Sequence, residues 1–238
     1  GRAMQSLQLV DNFIAQFNFV CAYSEEQKRI AYQIRFKQSK EDFDGLTHVE
    51  QVIDQYDHNS THLLLQENSS RQYIACIRIS HSVESLSAQP TLPCQRANSC
   101  SLGFIDQVFS SGCHLSLCEI SRLNINPEYC DTEAKKYSFS EAMYLAAFSL
   151  ARLRFDDRIL LSLPCNEFKR LRARGLQLEQ TTNKLNSDSE DLFWLSSESG
   201  ILDNSPAYDL YQHILGCITH QLNQPLLDGD DLIANEGV

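Results

Sequence analysis

Cys118-Glu119-Ile120-Ser121-Arg122-Leu123-Asn124-Ile125 is a strand-like run broken by charge. Alternation along a strand puts Glu119, Ser121 and Leu123 on one face, and Ile120, Arg122 and Asn124 on the other. A Glu and a Ser on a central strand are costly to bury unless paired or hydrogen-bonded. An Arg beside them is suited to clamp a carboxylate or phosphate. From these residues alone two readings are equally open: an internal Glu119–Arg122 ion pair on an edge strand, or a polar site facing an amine or carbonyl substrate.

The elements around this run follow from periodicity. Upstream, Leu7, Val10, Phe13 and Ile14 are spaced for a helix over 5–15, and Phe17 to Cys21 alternates as a strand. Ser24-Glu25-Glu26-Gln27 is a capping box opening a helix that carries Ile30 and Ile34 and fades after about Lys40. A polar stretch over 41–59 precedes His62–Gln66 and Gln72–Ile79, two alternating runs about the turn 67–70, which read as a hairpin. Residues 81–101 read as a long loop and 102–110 as a short helix, before the β region Leu115–Ile125. Downstream, Ser138 or Ser140 is expected to cap a helix reaching Arg154, with Ala142, Leu145, Ala146 and Leu150 on one face. A buried strand over 158–163 stops at Pro164, and a helix over 166–174 ends at Gly175. A short strand over 192–195 and a closing helix over 206–219 complete the pattern. Strands alternating with helices in this order predict a mixed sheet covered on both faces.

Other polar residues stand where apolar ones are expected. Asp54-Gln55-Tyr56-Asp57, followed by Ser60 and His62, pairs two carboxylates just before a strand; it reads as an ammonium receptor or as an ordinary acidic loop. Arg35 sits late in the first long helix and Arg78 lies inside the apolar strand Cys76-Ile77-Arg78-Ile79, where an arginine must reach solvent or pair internally. Lys169, Arg170, Arg172 and Arg174 make the one basic cluster, a solvated helix face when taken alone.

Composition narrows the function. Formal charge is −11, which argues against a nucleic-acid backbone as main partner. The nine cysteines are odd in number and follow no secretory signal, so reduced thiols in a cytosol are expected. The tightest group, Cys94, Cys100, Cys113 and Cys118, has no CxxC pair, and no metal is expected there. Apolar runs fall far short of the roughly 20 residues that span a bilayer. Gly1-Arg2-Ala3 ahead of Met4 reads as a tag remnant. One domain over 4–224 with an acidic, flexible tail over 225–238 is the expected organisation.

Taken in order, Tyr32-Gln33-Ile34-Arg35-Phe36, Asp54-x-x-Asp57 with His62, Ile77-Arg78-Ile79 and Glu119-Ile120-Ser121-Arg122-Leu123 resemble the GNAT subgroup of acyl-homoserine-lactone synthases and long-chain N-acyl amino acid synthases. The likeness is nearest to the branch associated with PEP-CTERM/exosortase systems, and Pro164 to Leu176 and Ser205 to Leu210 extend it. The resemblance implies an α/β (α+β) fold, a GNAT-like three-layer αβα sandwich with a mixed, centrally splayed sheet. It implies a cytoplasmic enzyme that transfers a fatty acyl group from a thioester to a small-molecule amine. Glu119 and Ser121 would position or deprotonate the amine, Asp54 and Asp57 would receive its ammonium group, and Arg35, Arg78 and Arg122 would order the network or hold a carboxylate. The helix around 140–150 and the strand 158–163 would wall an acyl pocket.

Two departures bear on the donor. Asn126-Pro127-Glu128-Tyr129-Cys130 lacks the arginine that often follows in SPxYR, with Lys135 and Lys136 as substitutes, and the glycine-rich pyrophosphate loop is absent. The absent loop favours acyl carrier protein over coenzyme A as donor, with no permanently bound cofactor, and on that reading the Lys169–Arg174 cluster gains a role in steering an acidic carrier. The alternatives are a homoserine-lactone synthase using S-adenosylmethionine and a GNAT that binds a carrier without catalysis.

Overall fold

The computed structural model describes residues 11–81, 92–93, 117–154, 158–180, 191–196 and 200–222. The expected helix over 102–110, most of the 81–101 segment, Cys94, Cys100, Cys113 and the 225–238 tail lie outside them. Of the expected first helix, residues 11–16 are described and helical.

Seven strands form one sheet. They are β1 (Phe17–Ala22), β2 (Ser60–Glu67), β3 (Tyr73–His81), β4 (Leu117–Ile125), β5 (Arg158–Leu163), β6 (Glu179–Gln180) and β7 (Asp191–Ser196), in the spatial order β1-β2-β3-β4-β5-β7-β6. The first four pair antiparallel in chain order, β5 is parallel to β4, and β7 is antiparallel to β5 and β6. The sheet is therefore mixed. β6 is too short to leave a period in the sequence.

Helix α1 (Glu25–Asp42) covers one face. Its capping box is formed: the Gln27 N–H donates to Ser24 Oγ at 3.0 Å, and Gln27 Oε1 accepts from the Ser24 N–H at 3.2 Å. Ala31 and Ile34 pack on Ala22, Leu64 and Cys76 of the sheet. The opposite face carries α2 (Glu133–Leu153) and α4 (Tyr208–Leu222), and α3 (Cys165–Arg174) follows β5. From Ala142 to Ala151 every residue of α2 is buried, because the helix lies between the sheet and α4. Among the described residues, no helix is long and apolar enough to cross a membrane.

α2 starts earlier than expected. Thr132, not Ser138 or Ser140, is its N-cap, with Thr132 Oγ1 accepting from the Lys135 N–H at 3.2 Å. The Ser140 hydroxyl instead donates to the Lys136 carbonyl at 2.8 Å, a mid-helix bond that competes with its use as a cap. At the other end of the chain's helical series α3 stops as predicted, at Gly175 with φ +114°.

β4 is where the sheet opens. It pairs with β5 only from Leu117 to Ile120, although β5 runs on to Leu163. Along β3 the register steps from Arg78↔Ser121 to Cys76↔Asn124, so one residue on β3, Ile77, faces two on β4, Arg122 and Leu123. The extra residue is Arg122, left-handed at φ +53°: a β-bulge. The bulge overturns the simple alternation. Cys118 and Ile120 face the α2 core, but so do Leu123 and Ile125, while Asn124 bonds Gln38 of α1. Leu123 thus departs from the face of Glu119 and Ser121, and Arg122 is released from the face of Ile120. This is the GNAT-like sheet, open between β4 and β5.

Candidate active site

The polar residues singled out in the sequence converge on the α1 side of the sheet, beside the bulge. Arg35 leaves α1 and forms a fork with Asp57, Nη1 donating to Oδ2 at 3.0 Å and Nη2 to Oδ1 at 3.1 Å; Nη1 also donates to the Val52 carbonyl at 2.9 Å. Arg78 on β3 donates from Nη1 to Asp54 Oδ1 at 2.7 Å and to Asp57 Oδ1 at 3.2 Å, and from Nε to Ser121 Oγ at 3.2 Å. Arg122, freed by the bulge, donates from Nη2 to Asp54 Oδ2 at 3.2 Å. A short 3-10 turn over Asp57–Asn59 holds the loop in place, with the Asp54 N–H donating to Asp57 Oδ2 at 2.8 Å and the Tyr56 N–H to Asp54 Oδ1 at 2.9 Å.

Exposure divides these residues. Arg35, Arg78 and Asp57 are at most 1% exposed, whereas the side chains of Asp54 and Arg122 are 27% and 48% exposed. The Asp57 carboxylate accepts from Arg35 twice, from Arg78 and from the Asp54 N–H, which fills the roughly four acceptor positions it offers. Asp54 has capacity left on Oδ2 and faces solvent. Glu119 is buried, opposite Ser80 on β3 and Leu160 on β5. It lies two residues before Ser121 on the same face, where the sheet is still closed.

Burial by itself would raise the Asp57 carboxyl, but the Arg35 fork, the Asp54 N–H and the Arg78 charge outweigh it and hold it at about 2. Asp54 is likewise held low, by Arg78 acting against burial. Two buried guanidiniums are tolerable because paired carboxylates neutralise them at hydrogen-bond distance. His62 on β2 lies beneath this network, its Nε2 3.6 Å from Asp57 Oδ1.

Some members left no mark in the sequence. The Val52 carbonyl and the Asp54 N–H act through the backbone. The Ser80 hydroxyl lies 2.8 Å from that of Ser60 and ties β3 to β2. Gln38 Oε1 accepts from Asn124 Nδ2 at 2.9 Å and from the Ile125 N–H at 3.0 Å, anchoring β4 beyond the bulge. A polar residue on the buried side of α1 was the available signal for Gln38.

The basic cluster on α3 splits into two faces. Arg170 stacks on the Tyr137 ring, Cζ 3.2 Å from its centroid, and Arg174 Nε pairs with Glu141 Oε2 at 3.4 Å, both on α2. Lys169 and Arg172 face outward. Lys135 pairs with Asp131 at 2.9 Å. The residues expected to wall an acyl pocket, around 140–150 and 158–163, contribute to one continuous core.

An open mixed sheet with a polar network at the parting of two parallel strands is a GNAT-like α/β fold. Residues 28–139 match the family model of the acetyltransferase (GNAT) domain. Solved structures of similar fold include FeeM, an N-acyl amino acid synthase from uncultured soil microbes, at TM-score 0.54 and 11% identity, covering 77% of this chain and 91% of that one. They also include BjaI, a CoA-dependent acyl-homoserine lactone synthase with SAM and isopentyl-CoA, at 0.52 and 11%, covering 84% and 89%. TofI in a ternary complex with an inhibitor and MTA matches at 0.51 and 14%, covering 82% and 96%. No curated protein matches in sequence.

Proposed function

We propose that this chain is an N-acyltransferase that moves a fatty acyl group from an acyl thioester to the amine of an amino acid or a related small molecule. One observation carries the reading: β4 parts from β5 after Ile120, and Ser121 and Arg122, the next two residues, are the ones that join the Arg78–Asp54 network. A thioester lying in the opening would present its carbonyl to an amine held by that network.

In this reading Asp54, which keeps exposure and acceptor capacity, meets the ammonium group. Asp57 and Arg35, saturated and buried, position it rather than touch substrate. Glu119 takes the proton as the amine nitrogen attacks the carbonyl. The C–N bond forms, the C–S bond breaks and the thiol departs with a proton, while Ser121 and Arg122 orient the polar end of the acceptor. The α2 and β5 core faces the acyl chain.

Acyl carrier protein is the favoured donor, supported by the missing glycine-rich loop and by the outward Lys169 and Arg172; coenzyme A is the alternative. Likeness to the PEP-CTERM/exosortase branch and a cytoplasmic location rest on the sequence motifs and composition. Homoserine-lactone synthesis is the nearest rival, since FeeM and BjaI resemble the fold about equally.

Mass spectrometry of lipid extracts from cells expressing the chain, with and without Glu119→Gln, tests the proposal. N-acyl amino acids that vanish in the variant support it. Homoserine lactones point to the rival, and no product from either protein points to a carrier-binding module. Unchanged product in the variant removes Glu119 from the mechanism.

A further inference from the structure

We propose that His62 is a pH-sensitive positioning residue of the site: while its Nε2 carries no proton to share with Asp57, that carboxylate stays on Arg35 and Arg78, and a proton on that nitrogen would pull Asp57 away from Arg78. His62 is 1% exposed and stands directly opposite Arg78 in the β2–β3 register. Its ring meets Tyr32 of α1 edge-on, centroids 5.4 Å apart. The charged and titratable groups facing it are Tyr32 and Arg35 from α1, Asp57 from the 3-10 turn and Arg78 from β3.

His62 Nε2 lies 3.6 Å from Asp57 Oδ1, too far for a hydrogen bond, and has no hydrogen-bond partner among the described residues. An orphaned buried nitrogen costs the desolvation of its unmade hydrogen bond. A site that tolerates this cost while a carboxylate lies within reach is held in place by its other bonds. Asp57 Oδ1 already accepts from Arg35 at 3.1 Å and from Arg78 at 3.2 Å. A protonated Nε2 would become a charge-assisted donor to that same oxygen. Of the two arginines, Arg78 alone has another carboxylate, Asp54, to turn to. Protonation therefore moves Arg78, and with it the Arg78–Ser121 bond. Burial, reinforced by the two arginines, outweighs the pull of Asp57 and lowers His62 to about 4, so the neutral form is the working one.

The inference rests on the proposed function only in treating Arg78 and Ser121 as part of an active site; its measurement needs no substrate. Histidine ring and arginine Nε–H resonances are followed by NMR on the intact chain from neutral pH to well below the expected midpoint of about 4. The expected result is a His62 midpoint far below the ordinary histidine value, with the Arg78 Nε–H signal shifting at the same midpoint. In His62→Phe, which keeps the edge contact with Tyr32, that coupled shift disappears; His62→Gln serves if the phenylalanine variant does not fold. An Arg78 signal that stays still while His62 titrates, or that shifts at the same pH in the variant, overturns the proposal. Unfolding of the wild type before His62 titrates also overturns it, because a folded protonated state is required. The product assay above judges the enzymatic reading separately.

Discussion

Arg78 on β3 and Ser121 on β4 face each other at the last regular rung before the bulge, the guanidinium Nε donating to the hydroxyl at 3.2 Å. This bond links a buried charge cluster to the point where the sheet opens. The bulge follows at once, so the next side chain, Arg122, reaches the same cluster from outside.

Ser121→Ala leaves the Nε of a nearly inaccessible arginine without its acceptor. Destabilisation of about 1–3 kcal/mol is expected, read as a lower urea midpoint at constant slope. Ser121→Thr keeps an acceptor and is expected to recover much of the loss.

Asp57→Asn removes the charge that neutralises two buried guanidiniums. Breaking a buried ion pair from one side costs about 3–5 kcal/mol, so this variant is expected to be among the least stable single changes in the site. A urea midpoint within experimental error of wild type would show that Arg35 and Arg78 find other partners.

Arg122→Gly and Arg122→Ala both delete the bond to Asp54, a half-exposed pair worth little by itself. They differ at the backbone. Glycine adopts the left-handed conformation freely, whereas alanine there costs roughly 1 kcal/mol or more. The glycine variant is expected to unfold at the higher temperature of the two, with activity reduced in both. Equal melting temperatures would mean that the bulge is not strained.

Acid stability should fall in two steps. The His62 pKa is depressed to about 4 in the fold, so as pH drops from ~6.5 the unfolded chain takes up the proton first, and on the order of 3 kcal/mol is lost by about pH 4. Asp57, depressed to about 2, contributes stability that is fully present above its unfolded value of ~3.9 and is lost as pH falls towards 2. Urea unfolding at several pH values checks this: His62→Phe should flatten the upper step and leave the lower one. An unchanged slope between about pH 6.5 and 4 in that variant contradicts the assignment.

Gly175→Ala should destabilise strongly. A Cβ there would overlap the Ser205 side chain, and the φ of +114° disfavours any side chain. The backbone alone accounts for about 1–3 kcal/mol. Adding Ser205→Gly removes the overlap but not the strained φ, so the double variant is expected to recover only part of the stability.

Sequence reasoning located most strands and helices because their signals are local: Ser24 and Gln27 for a cap, Gly175 for a stop, and period-2 runs on either side of the 67–70 turn. It missed the Thr132 start of α2 because serine has equal local merit at several positions, and only the incoming chain direction selects one. The residues of the candidate site are also legible in the sequence, each being a polar group in an apolar setting, but exposed and supporting members look the same there. Asp54 and Asp57 look alike in sequence; four donors saturate one, while the other keeps an open edge.

By itself, the order Arg35, Asp54, Asp57, Arg78, Glu119, Ser121, Arg122 determined which polar groups the chain has to bring together. Tertiary structure alone decided the faces. Alternation along a strand is a local rule, but a bulge is fixed by the partner strand's register, and here β3 offers one residue against two. That single extra residue turns Arg122 to Asp54 and Leu123 to the core at the opening between β4 and β5.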